Sequence, residues 1–365
     1  MTAQPQKKPE AQFAAPDEAK LNEFMGQLIN DLGGTATAVM VIIGDKLGLY
    51  RAMADGKPVT PAELAKRTNT TERYIREWLG NQAASGYIKY DPQTQTYTLP
   101  PEQSFALAQE GSPAFFAGAF QITAAMFAAI PKITENFKSG KGLDWCDHDH
   151  RLFEGTERFF RPGYAAHLVQ EWIPSLDGVE AKLKAGAKVA DIGCGFGAST
   201  IVMAQAYPKS TFIGFDYHAP SIEAARERAK KAGVADRVSF EVAKSTDYPG
   251  KDYDFVCHFD CLHDMGDPAG AAKHVRETLK KDGTWMIVEP FAGDKVEDNL
   301  NPVGRIFYAA STTICVPASL AHNGPALGAQ AGEGRLKDIV VTKGGFTKFR
   351  RATQTPFNLI LEARP

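Results

Sequence analysis

The chain is poor in cysteine. Five residues in 365, at positions 146, 194, 257, 261 and 315, form no C-x-x-C pair and are odd in number. That argues against a disulfide scaffold and points to reduced thiols in a cytoplasm. Net charge is lacking too. The 41 lysines and arginines against 43 aspartates and glutamates leave −2, so no global field draws the chain to nucleic acid or to an anionic membrane. The first residues lack the apolar centre of a signal peptide. Met1 to Lys20 are polar, with three prolines and two adjacent lysines, and read as a disordered tail. Long apolar runs are also missing. Ala114 to Ile130, between Pro113 and Pro131, has 17 residues but contains Gln121 and Thr123. That is at the low edge for a membrane span, and a buried helix at a domain or dimer interface is the expected outcome. Two common phosphate motifs are absent as well: the glycine-rich stretch near 193 is not G-x-G-x-x-G, and no Gly-Lys-Ser/Thr follows it.

What is present is an ordinary globular composition, 44% hydrophobic and 23% charged, in a chain long enough for two domains. One stretch organises it: Val189-Ala190-Asp191-Ile192-Gly193-Cys194-Gly195-Phe196-Gly197-Ala198. A short apolar run ends in an acid, and a glycine-rich turn opens a helix at Ala198–Ala206 whose N-terminus points at any ligand there. Strand, glycine turn and helix form the nucleotide-site geometry of doubly wound α/β folds. Asp216 closes the next apolar strand, 19 residues after Gly197. A carboxylate at that point can accept both hydroxyls of a ribose.

The D-x-G-x-G-x-G pattern, with the acid at the end of the next strand, resembles motif I of class I S-adenosylmethionine (SAM) dependent methyltransferases. The resemblance implies SAM as cofactor and S-adenosylhomocysteine as product, with the methionine ammonium drawn to Asp191. It places Asp191, Gly193, Cys194, Gly195, Gly197, Asp216, Tyr217, Lys244, Ser245, Phe259 and Asp260 around the cofactor. Lys244 departs from the family, which often has an acid near the end of the third strand.

Further along, Cys261-Leu262-His263-Asp264-Met265 resembles the Cys-His-Asp-Trp region of plant-type O-methyltransferases. That puts His263 on the catalytic histidine and Glu289 on the carboxylate that orients it. A neutral imidazole near pH 7 suits deprotonation of a hydroxyl or thiol acceptor; a histidine that only lines the pocket is the plainer alternative. His258, inside the strand, reads as structural.

Taken in order, Leu21 to Ala54 reads as helix, interrupted at Gly33-Gly34. Thr60-Pro61-x-Glu63 is a capping signature, a second helix starts at Thr71, and Tyr87–Tyr90 and Thr96–Leu99 flank a turn. Helix, turn, helix, hairpin is a winged helix. From Pro58 to Glu110 five basic residues face six acidic ones, and the second helix alternates Glu72, Arg73, Arg76 and Glu77. A DNA reader needs a basic patch there, so dimerisation is the expected role and nucleic acid is not an expected partner. The arrangement is similar to the N-terminal domain of small-molecule O-methyltransferases, with Asp45–Tyr50 and Thr60–Ala65 as counterparts, from about Leu21 to the C-terminus. That domain pairs two subunits in the family. Bacterial winged-helix/methyltransferase fusions, often labelled transcriptional regulators, look closest in layout.

The expected division is a tail at 1–20, a winged helix at 21–110, a helical pocket segment at 111–177 and an α/β methyltransferase domain at 178–365. This Rossmann-like domain should carry seven strands and a lid at about 291–332. Trp145-Cys146-Asp147-His148-Asp149-His150 tempts a metal reading, but SAM chemistry needs none and no metal is expected. Aromatic residues from Phe153 to Trp172 read as core. In the family they also wall the acceptor pocket, with Arg161 against a substrate carboxylate and Tyr164 beside it; Tyr308 belongs to the lid. The expected function is methyl transfer to an oxygen or sulfur of a small acceptor. A thioether acid such as 4-methylthio-2-hydroxybutyrate is one candidate, with no base required. The alternative is a winged-helix regulator that uses its SAM domain as a sensor.

Overall fold

The computed structural model describes residues 15–365. Most of the expected tail lies outside them. Helix already begins at Glu18, where Asp17 accepts a bond from the Lys20 amide at 3.1 Å and so caps the first turn. The chain divides after Gln103 into two compact units.

The first unit opens with the helix Glu18–Lys46, which runs unbroken through Gly33-Gly34. Two glycines cost a helix about 2 kcal/mol against alanine, yet the helix continues through them. The break comes instead at Gly48, where φ is +69°. The helix Pro61–Thr68 starts with the anticipated box, Thr60 and Glu63 each closing on the other's backbone. The helix Glu72–Ala84 and the hairpin of β1 (Lys89–Asp91) and β2 (Thr96–Thr98) complete a winged helix. Trp78 holds it together. Its indole donates to the Met40 carbonyl at 2.9 Å and meets the Tyr50 ring edge-on at 5.1 Å. A Cβ at Gly44 would lie 2.6 Å from the Trp78 ring, so the helices close there only on glycine. Glu18–Lys46 is also the one described helix long and apolar enough to cross a membrane. It leaves Phe24, Ile29, Leu32 and Val39 more than half exposed.

The second unit is built on a seven-stranded sheet. Its strands are β3 (Lys188–Ile192), β4 (Thr211–Asp216), β5 (Val238–Val242), β6 (Tyr253–Phe259), β7 (Leu279–Pro290), β8 (Lys348–Gln354) and β9 (Asn358–Arg364). The order is β5-β4-β3-β6-β7-β9-β8, with β9 alone running antiparallel to the other strands. Strands buried on both faces carry continuous apolar runs, and β6 and β7 do so around Phe255, Val256, Trp285 and Ile287. The chain leaves β3 toward β4 on one side and returns to β6 on the other. This puts the topological switch, where open α/β sheets bind ligands, at the carboxyl ends of β3 and β6.

Most of the apolar stretch at 114–130 lies in the helix Ala117–Ser139. Ala117, Gln121, Ala125, Ala129 and Ile133 make its buried stripe at i, i+4 spacing. It crosses the helix Arg151–Gly163 where Gly118 meets the Phe159 backbone and Gly155 meets that of Ile122. A Cβ at either would come within 3 Å of main chain.

Candidate active site

The site starts with the turn after β3. The β3–β4 ladder runs on into it, with the Gly193 and Cys194 amides donating to the Phe215 carbonyl at 2.8 and 3.0 Å. Gly193, Gly195 and Gly197 all have positive φ, which only glycine adopts freely. Their surroundings differ. A Cβ at Gly195 would project into open space, whereas one at Gly197 would strike the Phe240 ring at 2.6 Å. Gly195 is therefore the ligand-facing glycine. Gly197, expected at the cofactor, starts the helix Ala198–Ala206 and is needed for packing.

Beside the turn lies a cavity of about 420 Å³, within the roughly 300–1,000 Å³ typical of small-molecule sites. Gly193, Cys194, Gly195, Asp216, Tyr217, Lys244, Ser245, Phe259, Asp260 and Tyr164 line it as the sequence suggested. Asp216 ties the turn to β4: one carboxylate oxygen accepts the Gly195 amide at 2.9 Å, the other the His218 amide at 2.8 Å. Each oxygen keeps a lone pair for a further donor. Burial raises the Asp216 carboxyl, against the two amides that favour its charge.

Asp191 departs from the expectation. It is fully buried beneath the turn and does not line the cavity. Ser199 and Thr200 donate to its Oδ2 at 2.7 and 2.6 Å, while Oδ1 finds no partner. Burial pushes its carboxyl up to about 6, with the two hydroxyls pulling the other way.

At the tip of β6, Asp260 turns into the left-handed region at φ +52°, a costly conformation for a side-chain-bearing residue. Tyr164 donates to its Oδ2 at 3.2 Å and Asn358 to its Oδ1 at 2.8 Å. Burial, then the nearby Glu289 charge, holds the Asp260 carboxyl well above the usual range, and burial lifts Asp264 to about 7. The wall carries Asp216, Asp260, Asp264 and Asp267 against Lys244, besides Glu157, which Arg161 and Arg228 hold. Such a lining suits a ligand that brings positive charge.

His263 and Glu289 sit together behind that wall. His263 Nδ1 lies 2.5 Å from Glu289 Oε2, and the other carboxylate oxygen accepts the Leu262 amide at 2.9 Å. Both side chains are buried, and neither lines the cavity. Burial favours a neutral ring, but Glu289 and the Cys315 thiol on the lid outweigh it and hold His263 well above the ordinary histidine value. His258 is structural, accepting the Trp285 indole proton at 2.9 Å.

Two further expectations change. Arg161 does not line the cavity: Glu110 holds it at 3.0 Å and Glu157 at 2.8 Å. Tyr308 is also absent from the wall, because the lid turns its neighbour Phe307 inward against Ala125 and Leu152. The 145–150 stretch scatters its donors. His148 is buried near Trp145 while the His150 side chain is 82% exposed, and no group of three or more candidate metal ligands occurs among the described residues. The 291–332 segment instead reaches the wall through Ala318 and His322, which no local pattern had marked. Asp264, beside His263 in the same short run, was the legible omission.

Comparisons with known proteins agree with this geometry. Residues 35–109 match the Rv2258c-like winged HTH domain, and residues 183–324 match a methyltransferase domain. The chain joins a winged helix-turn-helix domain to a methyltransferase domain. Over 107 residues it is 36% identical to 27-O-demethylrifamycin SV methyltransferase of Amycolatopsis mediterranei. The match takes in 29% of this chain and spans only 39% of that protein. The mitomycin 7-O-methyltransferase MmcR superposes with a TM-score of 0.68 at 18% identity, covering 95% of this chain and 100% of that one. Human N-acetylserotonin methyltransferase, solved with SAM, does so with 0.62 at 16%, covering 97% and 99%. At such identities these structures speak for the fold. Within the methyltransferase domain, the glycine turn and Asp216 stand at the switch point of the sheet.

Proposed function

We propose that the chain is a SAM-dependent methyltransferase acting on an oxygen or sulfur of a small-molecule acceptor. The observation that carries this reading is the open face of Gly195, bonded through its amide to Asp216 at the cavity edge. Gly195 leaves room for a nucleoside against bare backbone, Asp216 has lone pairs left for ribose hydroxyls, and the acidic wall complements a sulfonium and an ammonium. Bound SAM supplies an electrophilic methyl group. The protein's part is to hold both partners in line and dry, the larger share of such catalysis.

His263, oriented by Glu289, is the candidate base; it stands just behind the cavity wall, so acting on an acceptor requires that wall to open toward it. A hydroxyl acceptor fits this pair better than a thioether acid such as 4-methylthio-2-hydroxybutyrate. For a carboxylate-bearing acceptor the expected Arg161 is already engaged by Glu110 and Glu157, and Lys244 is the lysine on the cavity wall. The exposed apolar face of Glu18–Lys46 supports pairing of two chains through the N-terminal unit. Incubation with methyl-labelled SAM and a metabolite extract tests the reading. Label should appear in a small molecule, and label found in no acceptor would count against it.

The winged helix keeps a second reading in view, a regulator that senses SAM. Against it, Arg73 and Arg76 on the would-be recognition helix are paired with Glu77 and Glu72, leaving little for phosphates. Sequence-selective gel shifts with genomic fragments at physiological salt would favour it.

A further inference from the structure

His322 is the point where the lid meets the cavity, and three separate segments converge on it. Its Nε2 lies 2.6 Å from Asp144 Oδ2, in the loop before the helix Arg151–Gly163. Its ring stands edge-on to Tyr217, the residue after Asp216, at 5.9 Å and 86°. Its Cβ packs against Gly266, beyond β6, so closely that a Cβ at 266 would collide with it. Tyr217, Gly266 and His322 all line the cavity, as does Trp145 beside Asp144.

The approach is fixed from behind. Ser319, fully buried, donates to the Met265 carbonyl at 2.8 Å and accepts the Ala326 amide at 3.0 Å. The turn after His322 takes Asn323 and Ala326 into the left-handed region. Ser319 thus anchors the lid to the loop after β6, and His322 extends from that anchor toward Tyr217. The contact between His322 and Asp144 is half-exposed and adds little to folding. Its evident effect is geometric: it joins the lid to the opposite rim, over the residue next to the ribose-binding carboxylate.

We propose that His322 is a catch that closes the lid over the nucleoside end of the cavity and sets how fast S-adenosylhomocysteine leaves. It is a positioning residue, acting through Asp144 and Tyr217. The lid then responds to the cofactor as well as to the acceptor, and SAM enters before the catch closes. This rests on the methyltransferase reading above.

The test is the dissociation rate of S-adenosylhomocysteine from the full chain, by stopped-flow displacement with excess SAM. H322A and D144N should each speed release about tenfold, as expected when lid opening limits product departure, and the double variant should release no faster than either single one. G266A, whose new Cβ displaces the imidazole, should behave likewise. Thermal midpoints of H322A and D144N should stay near that of the unaltered protein. D144N keeps the oxygen that accepts the Cys146 amide, so the proposal remains testable if H322A folds poorly. Release within twofold of normal in these variants, or additive effects in the double variant, would overturn the catch alone. Failure of the unaltered protein to bind S-adenosylhomocysteine at all would sink the methyltransferase reading, and the catch with it.

Discussion

Asp216 spans two jobs with one carboxylate, fixing Gly195 and facing the cavity. Replacing it with alanine removes acceptors for two ribose hydroxyls. Hydrogen bonds to a charged group contribute about 1.5–3 kcal/mol each, so SAM affinity measured by calorimetry should fall by at least about a hundredfold. His263 makes a different prediction. Its ring is held well above the ordinary histidine value, so it gives up its proton at a higher pH than a free imidazole does. If His263 takes the acceptor proton, turnover should climb as pH rises past 6.5 and level off only when the imidazolium has been lost. H263A should abolish that limb and lower turnover by about 10²–10⁴-fold, the usual range for a general base, with affinity for S-adenosylhomocysteine unchanged. A thioether acceptor would instead give a flat profile and tolerate the substitution. Residues whose chemistry is local, such as Gly195 and Asp216, were legible in the sequence. Arg161 was not, because its partner Glu110 lies 51 residues away and only tertiary structure shows that its charge is already satisfied.

At the scale of elements, the glycine turn separates folding from binding. G197A drives a methyl group into Phe240 and Ala225 at a left-handed position. It should lower stability by about 1–3 kcal/mol or more, the range for overpacking, seen as a lower thermal midpoint. G195A meets no neighbour. Its cost to the fold is limited to backbone strain of roughly 1–3 kcal/mol, while its methyl group occupies ligand space, so its larger effect should be on SAM affinity. The strands β3, β4 and β6 could be read from apolar runs that end at an acid or a glycine, and β5 from its alternation of apolar and polar residues. Helix breaks could not be read from composition alone: Gly33-Gly34 stays helical, while Gly48 ends the first helix because φ is positive there. The π-helical turns Tyr164–Trp172 and Ser311–Cys315 carry no local signature. They bring Tyr164 to Asp260 and Cys315 to His263 through packing that a residue pattern does not encode.

The whole molecule combines an apolar first helix with a cavity-bearing α/β unit. Ile29 and Leu32 are 65% and 71% exposed on that helix, and surfaces of this kind mark interaction sites. L32E combined with I29E should convert a dimer to a monomer in sedimentation velocity while preserving helical content; a monomer before mutation would remove the pairing role. Two-part organisation was visible from the change in pattern along the chain, since helical periodicity gives way to α/β alternation. Where the lid touches was not, because His322 meets residues from three distant stretches. The central claim concerns the nucleoside, and a crystal structure with S-adenosylhomocysteine tests it most directly. The account predicts the ribose on Asp216 and the backbone of Gly195 in contact with the ligand. The ligand bound elsewhere, or that crevice filled by a different cofactor, would contradict it.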